Sequence, residues 1–359
     1  MFLVCEISIW VNVLICIYTY DLNMKNKNNK IDKITFFFRT KDLDFSIEKI
    51  FKLIIPTISL KFSTESVSVP FFRIKLSFII KNLIFCRKHK SEINHITGVI
   101  HYCSLALPYS RTIITIHDMI SVEKGKGLKK YFFWFFFFYL PIKRCKYVTC
   151  ISESVRDALL HYKCCPASKL TVIPNPVSDS YIYTPKDFNK DCPRILHIGT
   201  RPNKNLQNVI KSLYQVPCHL IIIGELLDIE LILLNQLKIN YTNKINLTDN
   251  QILNEYIDCD IVSFPSVFEG FGVPIIEGQA IGRPVLTSNI LPMKQVVGDN
   301  YYTIDPYNIE AIKTGFRTII NSDEVRNKMI ELGLVNVHKY RPEIIASKYI
   351  DLYFKILKD

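Results

Sequence analysis

The sequence predicts an α/β protein of two domains, each a parallel sheet with helices on both faces. Short apolar runs of strand length alternate along the chain with amphipathic stretches of helix length, the pattern of repeated βα units. The runs are continuous rather than alternating, as strands covered on both faces require. A length of 359 residues exceeds a common domain size of about 100–200 residues. The stretch 174–193, PNPVSDSYIYTPKDFNKDCP, holds four prolines and no periodicity, and it divides the chain into two halves.

In order, strands are predicted at 33–38, 112–116, 147–151, 170–173, 194–198, 219–223, 260–264 and 284–287. Helices are predicted at 46–56, 128–140, 153–162, 204–214, 226–237, 249–257, 274–282, 307–320, 323–337 and 343–357. Ser154 and Asp157 have the spacing of a capping box at the start of 153–162. The organisation that follows is an N-terminal extension (1–31), a first domain (32–175), a linker (176–192), a second domain (193–340) and a C-terminal helix (341–359) that crosses back to the first domain. Residues 2–20 are mostly apolar, without a basic leader or a cleavage site. They fit a membrane-associated segment, a packed segment, or a stretch preceding a true start at Met24.

Composition sets the remaining bounds. Hydrophobic residues make up 48% and charged residues 22% of the chain, close to the soluble average. With 12 Gly and 17 Pro, collagen and wholesale disorder are excluded. The net charge is +12. Residues 21–90 hold 15 Lys and Arg against 6 Asp and Glu, so +9 of it lies there. Both an anionic partner and a bias towards Lys, Asn and Ile codons fit this, and no nucleic-acid-binding signature accompanies it. Eleven scattered cysteines, with no CxxC pair, argue for reduced thiols in a cytosolic compartment rather than a disulfide framework or a zinc site.

The densest chemical signal is Glu269-Gly270-Phe271-Gly272-Val273-Pro274-Ile275-Ile276-Glu277. It follows an apolar strand, and Pro274 suits the first turn of a helix. The loop Gly270–Val273 then presents free backbone amides beside the positive end of that helix, a ready anion site. Glu269 and Glu277, so placed, can grip hydroxyl groups near a bound phosphate, although the segment also fits a plain strand-loop-helix turn with a dipole-favoured Glu. A second signal is Gly199-Thr200-Arg201-Pro202-Asn203-Lys204-Asn205 after strand 194–198. Two cations at a strand-to-helix turn suit a diphosphate, although the pattern also fits a solvated helix start. A third is His117-Asp118 at the end of strand 112–116, where ligands of open α/β sheets lie. A histidine there can bond a sugar hydroxyl or donate to a departing phosphate, or serve only the core. His95 and His101 are weaker candidates of the same kind. Finally, Lys124, Lys126, Lys129 and Lys130 precede the aromatic run 131–139. This fits an anionic bilayer surface as well as a core helix.

The EGFGVPIIE segment, with Glu269 and Glu277 eight positions apart, resembles the signature of retaining glycosyltransferases of family 4. That resemblance implies the GT-B fold: two Rossmann-like, doubly wound domains facing across a cleft. It implies that Glu269 lies against the donor sugar, that Glu277 binds the ribose, and that the amides of Gly270, Phe271, Gly272 and Val273 touch the sugar and diphosphate. Gly199, Thr200 and Asn205 would line the donor, and Arg201 and Lys204 would neutralise the leaving diphosphate. The commoner family pattern has Arg directly after the Gly, where Thr200 stands here. His117 would reach the donor sugar, and Leu247, in Asn246-Leu247-Thr248-Asp249, would face the base.

The resulting expectation is a retaining, metal-independent hexosyltransferase with no cofactor. It would use a UDP- or GDP-sugar and a glycan or lipid-linked acceptor in surface-polysaccharide synthesis. It would be cytoplasmic, in peripheral contact with the membrane, and would not bind nucleic acid. Closure of the two domains would exclude water from the donor. The rival readings are an epimerase of the same fold and a non-catalytic nucleotide-sugar-binding subunit.

Overall fold

The computed structural model describes residues 32–40, 47–71 and 73–358. The expected N-terminal extension, 1–31, lies outside the described residues. The chain forms two compact units. Of the described residues, unit 1 holds those up to Ile151, then Val155–Ile173 and those from Ala346 onward. Unit 2 holds Ser152–Ser154 and Pro174–Ile345.

Unit 1 is built on six strands: β1 (Lys33–Phe38), β2 (Ser63–Ser68), β3 (Ile93–Ile96), β4 (Thr112–Ile116), β5 (Tyr147–Cys150) and β6 (Leu170–Val172). All pair in parallel, in the order β2-β1-β3-β4-β5-β6. Phe36, Phe37, Ile93, Ile96, Ile113 and Ile114 are fully buried at its centre. Unit 2 is built on β7 (Arg194–Ile198), β8 (His219–Ile223), β9 (Tyr241–Lys244), β10 (Ile261–Phe264), β11 (Val285–Ser288) and β12 (Thr303–Ile304). These are also all parallel, in the order β12-β11-β10-β7-β8-β9. Both sheets are doubly wound, as predicted. In each, the strand order reverses beside the unit's first strand, between β1 and β3 and between β7 and β10. A crevice forms at such a reversal, beyond the carboxyl ends of the strands, and ligands bind there.

Four strands escaped the sequence reading. β2 and β9 are edge strands with the polar sequences STESVS and YTNK, which expose much of their length. β12 has only two residues. β3 is the instructive case, because INHI is central and wholly buried. Its polar residues are satisfied inside the sheet. Asn94 Nδ2 donates to the carbonyls of Ser91 and Arg111 (3.1 and 3.4 Å), and both His95 nitrogens are bonded. A buried polar group with its hydrogen bonds made costs little, so polarity does not exclude a core strand.

Two local expectations are corrected. The helix predicted at 153–162 runs from Glu153 to His161, which puts Ser154 inside it rather than at the cap. Segment 176–192 is not a free linker but part of unit 2. Lys186 pairs with the buried Asp260 carboxylate, Thr184 N donates to Ile281 O (3.1 Å), and the Arg326 guanidinium lies 3.9 Å from the Phe188 ring centre. The C-terminal helix Pro342–Lys358 delivers Tyr349 and Tyr353 to the core of unit 1, where Tyr353 OH lies 2.7 Å from His95 Nδ1. Nine described cysteines are free thiols, eight of them buried. Among the described residues, no helix is long and apolar enough to cross a membrane.

Candidate active site

The loops that end β7 and β10 flank the reversal in unit 2. β7 is followed by Gly199, whose φ of +90° is costly for any residue with a Cβ. A side chain there would also meet Lys204, with Cγ and Cε both 3.1 Å from the added carbon. The bare glycine lets the Lys204 stem fold back over the strand end. The short 3₁₀ turn Pro202–Lys204 follows, and Asn205, in the left-handed conformation, starts the helix Leu206–Ser212.

β10 feeds the loop from Pro265 to Gly272, and the helix Val273–Ile281 begins with Pro274 in its first turn, as predicted. Gly272 caps this helix at φ +118°, and a Cβ there would crowd Ile275 and Phe264 at 3.0 and 3.3 Å. Among the described residues, the amides of Gly270, Phe271 and Gly272 donate to no backbone carbonyl. They stand beside the positive end of the helix, so the geometry for holding an anion is present.

The two loops are joined through side chains. Lys204 Nζ donates to Glu269 Oε1 at 2.8 Å and lies 4.6 Å from the centre of the Phe264 ring. Asn203 Nδ2 donates to the same Glu269 oxygen (3.1 Å) and to Phe268 O (2.9 Å), while Val267 N donates to Asn203 O (2.9 Å). Asn203 was not singled out from sequence. Its side-chain partners are 65 and 66 residues away, so only the fold brings them together. An ammonium has three donors, and one is used on Glu269, which leaves Lys204 able to serve a phosphate as well.

Glu277 lies in the same helix that Gly272 caps. Its Oε2 accepts from the buried Tyr256 OH at 2.6 Å, and Tyr181 bonds it as well. Burial holds its carboxyl above the usual range, while these two hydroxyls favour the charged form. Tyr181 meets the Tyr256 ring edge-on at 5.3 Å, which fixes the pair. Neither tyrosine has a local sequence signal.

The other predicted residues divide into two groups. Arg201 is exposed beside the 3₁₀ turn, and Thr200 packs closely against the backbone of Gly224. Leu247 is half-buried on the loop before the helix Asp249–Asp258, which Thr248 and Gln251 cap reciprocally. Phe271 is buried with its ring against Tyr340, and Val273 is half-buried at the helix start. Asn205 faces inward to the protein instead. Both of its amide donors are used, on Pro265 O (3.0 Å) and Pro306 O (2.7 Å), so it holds the loops and is not placed to bind a ligand with that amide. His197 on β7 is buried, bonded at Nδ1 to Ser263 Oγ (3.2 Å), and driven to about 3 by burial and the Lys204 charge.

Unit 1 carries His117 just beyond β4. Its Nε2 lies 2.7 Å from Thr97 O. A carbonyl only accepts, so the proton resides on Nε2 and Nδ1 is the lone-pair nitrogen. Burial drives the imidazole down to about 4, so it is neutral near pH 7. It can accept a bond from a hydroxyl at Nδ1. Donating a proton to a departing phosphate, one of the two roles expected for it, does not fit this state. His95 has both nitrogens committed, to Tyr353 OH and Thr115 Oγ1 at 2.7 Å each, and belongs to the core. Beside the reversal of this sheet lies a cavity of about 320 Å³. Its lining is mostly apolar, with Val69, Ile100, Tyr102, Phe133 and Phe137, and includes Arg39 and His101. Arg39 is held by Glu48 through two hydrogen bonds of 2.7 and 2.8 Å. Among the described residues, no group of three or more His, Cys, Asp or Glu is arranged to hold a metal ion.

Two doubly wound units, with cations, carboxylates and free amides at the strand reversal of the second, define a two-domain α/β protein with an anion-binding crevice. Comparison with known proteins makes this specific. Residues 184–334 match the model for glycosyl transferases group 1, and residues 50–181 match that for glycosyltransferase family 4. The chain belongs to the group 1 glycosyltransferases and has their GT-B fold. It is 24% identical over 216 residues to the O-antigen chain mannosyltransferase RfbU of Salmonella typhimurium, covering 57% of this chain and 60% of that protein. It is 32% identical over 90 residues to O-antigen chain mannosyltransferase B of Escherichia coli, covering 25% and 24%. The matched part is thus less than two thirds of either relative. Among solved structures, Anabaena Alr3699/HepE in complex with UDP and glucose superposes with a TM-score of 0.74 at 15% identity, over 90% of this chain and 100% of that one. The lipopolysaccharide outer core galactosyltransferase WaaB, in its apo form, gives 0.68 at 17%, over 90% and 99%.

Proposed function

We propose that the chain is a retaining, metal-independent hexosyltransferase of surface-polysaccharide synthesis, working at the cytoplasmic face of the membrane. Unit 2 binds a nucleoside-diphosphate sugar, and unit 1 binds the glycan or lipid-linked acceptor. The observation that carries this reading is the cluster of Lys204, Asn203 and Glu269 beside the unpaired amides of 270–272. As the bond from the anomeric carbon to the diphosphate breaks, negative charge grows on the departing oxygen. Lys204, Arg201 and the amides, aided by the helix dipole, hold that charge. Glu269 lies against the sugar, where positive charge develops, and Glu277 takes the ribose hydroxyls. Asn203 fixes the carboxylate before substrate arrives, so its orientation costs nothing at the moment of reaction. The acceptor hydroxyl attacks from the face that the diphosphate leaves, which retains the anomeric configuration. His117 accepts a hydrogen bond from a sugar hydroxyl.

The mannosyltransferase relatives put mannose first among donors to test, and the neighbour solved with UDP and glucose puts glucose second. A thermal-shift panel of UDP- and GDP-sugars is the direct experiment. A donor at about 100 times its Kd adds roughly 2.7 kcal/mol of stability. The bound donor, incubated with lipid-linked glycan and EDTA, should give a glycoside of unchanged anomeric configuration. Epimerised donor without acceptor contradicts the proposal. So do binding without turnover, an inverted product, and activity that EDTA abolishes and magnesium restores.

A further inference from the structure

The aromatic run of unit 1 is not absorbed by the transfer reaction. Helix Gly127–Phe133 passes without a break into a π-helical turn, Trp134–Tyr139, and on into Leu140–Lys143. Such turns interrupt regular helices frequently at functional positions. Here the turn rotates the run so that Phe137 and Phe138 are buried while Trp134 and Tyr139 line a cavity on another side. The cavity measures about 550 Å³. Lys130, Lys143, Lys163 and His161 share its wall with Trp134, Tyr139 and Tyr162, and no carboxylate lines it. Trp134 Nε1 donates to Tyr162 O at 2.8 Å and pins its two sides together. Lys130 Nζ lies 4.9 Å from the Tyr162 ring centre and Lys143 Nζ 5.4 Å from that of Tyr139. Among the described residues, none of the three lysines is ion-paired with a carboxylate. Glu123 lies within electrostatic reach of Lys130 and His161.

A second observation lies beside the first. Leu128 is 81% exposed and Tyr131 66% exposed, with Phe132 and Phe135 also at the surface. Large apolar side chains next to lysines that lack carboxylate partners have one natural counterpart, an interface that is apolar within and anionic at its rim. Water solvates the lysines but not the leucine, and an acidic protein surface would pair with the lysines and leave Leu128 exposed.

We propose that this cavity binds the phosphate headgroup of an anionic phospholipid, with Leu128, Tyr131 and Phe132 entering the headgroup layer. Lys130, Lys143 and Lys163 supply the charge, and the aromatic walls exclude water from the contact. This sharpens the membrane-face location proposed above and does not depend on the transfer chemistry.

The test uses the full chain with Trp10→Phe, which leaves Trp134 as its only tryptophan. Vesicles of phosphatidylcholine alone are compared with vesicles containing 30% phosphatidylglycerol. The excess affinity for the anionic vesicles is the readout, so apolar attachment elsewhere in the chain cancels. We expect at least about a tenfold excess, a blue shift of Trp134 emission, and loss of most of the excess in Lys130→Glu/Lys143→Glu. Leu128→Ser, at a site too exposed to disturb folding, should weaken binding several-fold while leaving the donor thermal shift intact. Equal affinity for both vesicles overturns the proposal. An unchanged excess in the double variant does the same, provided its donor thermal shift shows a folded chain. Stabilisation by inorganic phosphate without vesicle binding also overturns it, since the cavity would then take a soluble anion.

Discussion

The two sheets match in strand number and direction, and each reverses its order beside the first strand, yet the two reversals carry opposite chemistry. In unit 2 the loops after β7 and β10 bring together an ammonium, two carboxylates and unpaired amides. In unit 1 Arg39 is held by Glu48, His117 is neutral, and the adjoining cavity is largely apolar. On the proposed function, one crevice responds to changing charge and the other recognises shape and hydroxyl groups. Electrostatic preorganisation belongs where bonds break, and an acceptor that gains little charge needs none of it.

The largest expected effect breaks this comparison on the charged side. Glu269→Gln keeps the shape of the side chain and removes its charge, and it should lower turnover by about 10²–10³-fold. An equal loss from Gln at Glu48, the carboxylate at the other reversal, would show that the two crevices are not specialised as argued. Next, Glu277→Ala removes a partly buried acceptor of hydroxyl groups. A hydrogen bond to a charged group is worth about 1.5–3 kcal/mol. Donor Kd, measured by calorimetry, should therefore rise roughly 10- to 150-fold, and an unchanged Kd would take Glu277 out of the ribose role.

Acid separates the units by stability. His95, His101 and His117 in unit 1 are all pushed down by burial, the latter two to about 4, against His197 at about 3 in unit 2. Each is neutral in the folded chain, whereas the unfolded chain takes up a proton below about pH 6.5. The stability these residues contribute is therefore complete above that pH and is lost as pH falls towards 4, by about 1.4 kcal/mol per unit for each histidine. Hydrogen exchange at pH 7.5 and pH 5 should show unit 1 losing protection more than unit 2, and the reverse order would contradict the assignment. The smallest effect is Asn203→Ala. Losing its bonds should cost several-fold in turnover with little change in Tm, because Asn203 orients Glu269 rather than filling the core.

The contrast also explains what was legible in the sequence. Lys204, Glu269 and Glu277 sit in short segments whose residue types and spacing already state a chemistry. Asn203, Tyr181 and Tyr256 act across separations that only the fold closes, and nothing local marks them. Asn205 has the look of a ligand contact, but its two amide donors are committed to backbone carbonyls. The cavity of unit 1 draws ordinary apolar residues from segments scattered between Arg39 and Phe138, so it leaves no motif. Among strands, apolar runs gave themselves away, whereas β3 hid behind Asn94 and His95, whose polarity is cancelled by partners elsewhere in the sheet or its core.

The central claim is that unit 2 is organised around charge that appears only as the diphosphate leaves. Steady-state kinetics of Lys204→Ala with varied donor test it most directly. Lys204 should matter more in the transition state than in the ground state. Turnover should therefore fall by about 10²–10³ while donor affinity falls by much less. The variant should remain folded, since the Lys204 stem rests on Gly199 at the rim of the sheet. If turnover is unchanged and only the donor KM rises, Lys204 binds ground-state charge alone, and the account of the site fails at its centre.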